Sequence, residues 1–192
     1  MNAQMSKETL NLTKALKGDS KMQGNWGELV LERVLEKSGL EKGREYEVQQ
    51  SFTNEEGSRV LPDVIINLPD GKKMIVDSKV SLTAYERFVN EEDEDAKASF
   101  LKEHVNSIKR HVEQLGNKNY QDLYQIESPD FVLLFMPIES SFSIATQADN
   151  DLFNFAWTKK IIIVSPSTLL ATLRTIASVW KHEYQNKNAM EI

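Results

Sequence analysis

Two short runs made wholly of apolar residues, FVLLFMP at 131–137 and IIIV at 161–164, constrain the fold more than any other feature of the chain. A strand with one wet face alternates apolar and polar residues, so unbroken runs of this length mark strands covered on both faces, as in a parallel sheet. Each run leads into a helical pattern. Ser140 or Ser141 can cap one helix reaching to about Trp157, and Ser165 or Ser167 can cap a last helix whose Leu169, Leu173, Ile176, Trp180 and Tyr184 share a core face.

The upstream half supplies the rest of an α/β domain. Trp26, Val30 and Val34, with Leu31 and Leu35, repeat at helical spacing over 21–39, and Gly39 provides the stop. Residues 46–52, 60–68 and 72–79 read as strands, with Pro69-Asp70-Gly71 as the turn between the last two, so the three form an antiparallel meander. Residues 82–117 hold the acidic run 91–94 and then Leu101, Val105, Ile108, Val112 and Leu115, a narrow stripe that predicts a helix packed on the sheet. The predicted order is helix, three strands, helix, strand, helix, strand, helix: a mixed central sheet flanked by helices over 21–192. Residues 1–20 read as the end of an N-terminal helix or a linker. Neither end carries a helix stop, which gives the chain the look of a domain excised from a longer protein.

Composition limits the chemistry. The 192 residues include 23 Lys and Arg against 29 Asp and Glu, a formal charge of -6, so any nucleic-acid site is a local patch rather than the whole surface. With no cysteine, thiolate zinc sites, iron–sulfur clusters, disulfides and cysteine nucleophiles are all excluded, and a reducing, cytoplasmic setting fits. The longest strongly apolar stretch, 131–138, is far short of the roughly 20 residues of a membrane helix. No glycine-rich phosphate loop is present, which disfavours a nucleotide-binding α/β domain.

The hairpin around Pro69-Asp70-Gly71 is where chemistry can be placed. A three-residue loop with Gly71 at positive φ makes facing residue numbers add to 140, so Leu68 faces Lys72 and Asp63 faces Asp77. Alternation then sends Val64, Ile66, Leu68, Met74 and Val76 to one face and Asp63, Ile65, Asn67, Ile75, Asp77 and Lys79 to the other. Facing residues have Cβ atoms about 5 Å apart. Two carboxylates so placed repel unless one is protonated or a cation lies between them. An all-oxygen site suits Mg²⁺ or Mn²⁺, and a lysine one pleat away can hold a phosphate oxygen or orient water. The competing two-residue turn would shift the sum to 141 and split the pair across faces.

Pro62-Asp63 followed by Asp77-Ser78-Lys79 resembles the PD-(D/E)xK nuclease signature. The resemblance implies a restriction-endonuclease-like core in which a glutamate of the first helix often joins the metal site, and Glu28 in Gly24-Asn25-Trp26-Gly27-Glu28 matches that role. Gly24 and Gly27 would let that helix approach the sheet closely. A wider set of segments, 24–28, 59–64, 76–80, 129–132, 136–139 and 166–180, is similar in order and spacing to the RmuC family of bacterial DNA recombination proteins. That likeness implies a nuclease-like domain acting on DNA, and full-length relatives with a membrane anchor and coiled coil.

Blander readings stand beside these. Asp63 can simply start a strand, and Asp77-Ser78 can cap the next helix. Glu139 can face substrate at the carboxyl end of a buried strand or cap a helix. His104, His111 and His182 lack metal-ligand spacing and read as solvated or packed. Lys109, Arg110 and His111 with Lys118, and Arg174 and Lys181, are candidate phosphate contacts, though basic residues on helices are more often solvated. The expectation is a Mg²⁺- or Mn²⁺-dependent deoxyribonuclease with Asp63, Asp77 and Glu28 as metal ligands and Lys79 on the phosphate. The alternative is a DNA-binding or scaffold module without turnover.

Overall fold

The computed structural model describes residues 20–48, 63–78, 81–117 and 131–191. In chain order these form α1 (Ser20–Lys37), β1 (Tyr46–Val48), β2 (Val64–Asn67), a 3₁₀ turn (Pro69–Gly71), β3 (Lys73–Asp77), α2 (Thr83–Asn90) and α3 (Glu94–Gly116). There follow β4 (Val132–Phe135), α4 (Glu139–Ala148), α5 (Leu152–Thr158), β5 (Ile161–Val164) and α6 (Pro166–Met190). The strands make one mixed sheet in the order β1-β2-β3-β4-β5, antiparallel from β1 to β3 and parallel from β3 to β5. The meander and the two doubly covered parallel strands are thus as the sequence predicts.

Alternation of side chains splits the core into two layers. Val64, Ile66, Val76, Leu133 and Phe135 point to the side of α1 and α6, where Leu31, Leu35, Leu169 and Leu173 meet them. Ile65, Ile75, Val132, Leu134, Ile161 and Ile163 point the other way, onto Val105, Ile108 and Val112 of α3 and Ala145, Leu152 and Ala156 of α4 and α5. Every residue of β4 is buried because both faces are covered. Trp180 of α6 ties its layer to the hairpin end, its indole N–H donating to the Asn67 carbonyl at 2.8 Å.

Two predicted helices are each broken in two. The helix expected over 82–117 divides at 91–93, inside the acidic run, because the Asp93 carboxylate accepts the backbone N–H of Ala96 and starts α3. The helix expected to reach Trp157 stops at Ala148, where Asp149 Oδ1 accepts the Asp151 N–H at 2.9 Å and turns the chain. Neither Ser140 nor Ser141 caps that helix: Ser140 pairs with the Tyr85 hydroxyl, and Ser141 donates back to the Ile138 carbonyl. Ser165 does cap α6, in a reciprocal capping box with Thr168. Residues 49–52 and 60–62 of the predicted strands lie outside the described residues.

Candidate functional site

The hairpin has the register on which the site depends. Val64, Ile65, Ile66 and Asn67 face Val76, Ile75, Met74 and Lys73, so facing numbers add to 140, and the Leu68 N–H donates to the Lys72 carbonyl at 2.8 Å. Gly71 has the expected positive φ of 74°, and Asp70 joins it at 69°. One further step along this register sets Asp63 against Asp77. Both lie at the same end of the sheet, in phase with Ile65 and Ile75, whose face packs on α3, and each is only 1% exposed.

That burial sets both residues apart from a solvated strand start or helix cap. A carboxylate that merely starts a strand remains in water, and a cap must accept from the helix it caps. The helix after Asp77, α2, begins after Leu82 with no side-chain cap. What meets Asp77 instead is His111 of α3, whose Nε2 lies 3.2 Å from Asp77 Oδ1 with the imidazole 16% exposed. An ionised carboxylate only accepts, so Nε2 carries the hydrogen of this bond. Sequence reasoning set His111 aside for want of ligand spacing. A signal was present, since His104 and His111 each precede a buried residue of the α3 stripe, Val105 and Val112, and so flank the face turned to the sheet.

Glu28 reaches the same end of the sheet from the other face. It is half-buried in a cleft of about 240 Å³, beside Leu31, Leu35, Tyr46, Val64 and Ser78. The turn before it packs on the bend after β4, where a Cβ built on Gly27 would stand 3.5 Å from Pro137 Cγ, an ordinary contact that alanine could make. Glu32 and Glu36 line the cleft at successive helical turns. Burial raises the Tyr46 hydroxyl pKa, and the charges of Glu36 and Glu32 raise it further. An anionic phosphate entering here would need a cation with it.

Among the described residues no three His, Asp or Glu side chains gather closely enough to hold a metal ion together. The two strand carboxylates fit Mg²⁺ or Mn²⁺ all the same, since Mg²⁺ commonly takes one or two protein carboxylates and completes its shell with water and substrate phosphate. Lys79, the basic member of the motif, and Lys118 lie outside the described residues.

The other candidates are dispersed. Lys109 Nζ is 2.6 Å from Asp149 Oδ2, and Arg110 is exposed on the same helix. Arg174 and Lys181 sit exposed on α6, across the sheet from α3, so the four do not form one phosphate-binding patch. Glu139 caps a helix, but not the one it begins: its carboxylate accepts the Ser167 N–H at the start of α6. His104 is fully buried against the Tyr85 ring, with Nε2 2.9 Å from the Ser141 carbonyl, and burial pushes its pKa down. His182 is exposed on α6.

The sequence model of the RmuC family matches residues 1–192. The chain is 56% identical over its full length to the DNA recombination protein RmuC homolog of Pseudomonas aeruginosa, covering 42% of that protein. It is 50% identical to DNA recombination protein RmuC of Escherichia coli K12, covering 40%, and 51% identical to the RmuC homolog of Vibrio cholerae, covering 37%. The chain therefore spans about two fifths of the length of these relatives. No solved structure matches it.

Proposed function

The chain belongs to the RmuC family, and on that premise we propose that it is the nuclease-like part of a DNA recombination protein, hydrolysing DNA phosphodiesters with a divalent metal. The observation that carries this reading is the pair of deeply buried carboxylates, Asp63 and Asp77, which follow directly on the facing pair Val64 and Val76 at one end of the sheet. Two carboxylates side by side in the sheet repel each other, and a divalent cation between them offsets that repulsion. The relatives' names supply DNA as the substrate. The order of helix, meander, helix and strand supports a restriction-endonuclease-like core.

In this reading Asp63 and Asp77 hold the metal, and Glu28 stands at the same end of the sheet on its other face. The metal, when bound, makes a water acidic enough to attack at neutral pH and offsets phosphate charge. Lys79, two residues after Asp77 in the motif, acts on the phosphate in this reading. Its ammonium balances the negative charge that grows on the phosphate as the bond breaks.

A second reading, a DNA-binding module without turnover, draws on one observation: among the described residues no third ligating side chain gathers with the two aspartates, Glu28 lying across the sheet. Incubating end-labelled single- and double-stranded DNA with Mg²⁺, Mn²⁺ or EDTA separates the two. Hydrolysis that needs metal and falls at least a hundredfold in Lys79→Ala supports the enzyme. Binding without cleavage by the wild type supports the module.

A further inference from the structure

We infer that His111 is a positioning residue of the candidate metal site, holding the Asp77 carboxylate in the orientation that receives the ion. This rests on the reading of Asp63 and Asp77 as ligands. The geometry is specific to one oxygen: Nε2 of His111 meets Asp77 Oδ1 at 3.2 Å, thirty-four residues away along the chain. The contact is built by three elements that cannot slide independently. β3 carries Asp77 inside the sheet, paired to Leu134 of β4, and α3 is fixed over that sheet by Val105, Ile108 and Val112, the last of them next to His111.

The arrangement follows a general logic of metal sites. A carboxylate on a free rotor loses entropy when it binds an ion, whereas one already held by a donor has lost it on folding. Donors behind metal-ligating groups commonly change affinity by about 10- to 100-fold. Imidazole suits this place because the ring N–H can orient Oδ1 from the side of α3. A carboxylate has several lone pairs on its two oxygens, so accepting this bond is compatible with binding an ion shared with Asp63.

Calorimetric titration of Mn²⁺ into the metal-free protein, with no DNA present, reads this without reference to activity. The variants are His111→Ala, His111→Gln and Asp77→Ala, each with its melting temperature recorded. His111→Ala is expected to weaken Mn²⁺ binding by about tenfold or more. His111→Gln is expected to recover most of that loss, because its amide N–H can reach the position of Nε2. Asp77→Ala is expected to bind no Mn²⁺ at this site. If His111→Ala melts earlier but binds Mn²⁺ as the wild type does, while Asp77→Ala does not bind, the histidine only packs and the inference fails with the metal site intact. Tighter binding by His111→Ala also overturns it, since the imidazole would then compete with the ion for Oδ1. If the wild type binds no Mn²⁺, or Asp77→Ala binds it equally well, the metal reading falls and this inference with it.

Discussion

At the residue scale the buried polar groups set the conditions under which this protein is stable. His104 is fully buried, and burial holds its pKa below the ordinary value near 6.5. Above that value both folded and unfolded chains carry it neutral. As pH falls below it, the unfolded chain takes up the proton first, so stability declines with falling pH. Urea unfolding between pH 7.5 and 5 is therefore expected to show a falling midpoint in the wild type and a flatter profile in His104→Gln, which can still donate to the Ser141 carbonyl. Equal slopes would mean that His104 is not the group responsible. The hairpin register was legible in the sequence because a turn of fixed length turns residue numbers into neighbours. The partners of His111 and Glu139 were not, because they come from packing between elements 34 and 28 residues apart, which no local period encodes.

Elements were legible where a single period dominated and misread where a local hydrogen bond overrode it. The predicted helices carry on across 91–93 and 149–151, yet those stretches hold no apolar residue, Asp93 and Asp149 each accept a backbone N–H, and the chain breaks there. α6 shows the same chemistry used to start a helix. Ser165 accepts the Thr168 N–H, and Glu139 accepts the Ser167 N–H from the neighbouring α4. Ser165→Ala is expected to cost about 1 kcal/mol through the lost cap. Glu139→Gln is expected to cost less, about 0.3–1 kcal/mol, because it removes charge from the positive end of the helix but keeps an acceptor. Thermal unfolding of the two variants checks the ranking, and a larger loss in Glu139→Gln would show that the carboxylate, not the serine, anchors this helix.

For the whole molecule, charge decides how DNA can be held. The net charge is -6, the cleft beside Glu28 is acidic, and Lys109 is paired with Asp149, all of which work against phosphate binding. DNA affinity is expected to fall with salt on a shallow logarithmic slope, of magnitude below about 4, since each phosphate contact contributes about 0.9. A fluorescence anisotropy series that gave a slope near 8 would point to a basic surface this fold does not display among its described residues. The sheet brings together what the chain keeps fourteen residues apart, and the account stands on those two carboxylates acting as one site. Single-turnover cleavage of end-labelled DNA by Asp63→Asn, Asp77→Asn and the double variant tests this most directly. Residues that work as a unit give strongly non-additive losses, so each single variant is predicted to fall to the residual rate of the double. A wild-type rate in either single variant, or losses that multiply independently, would contradict a shared site.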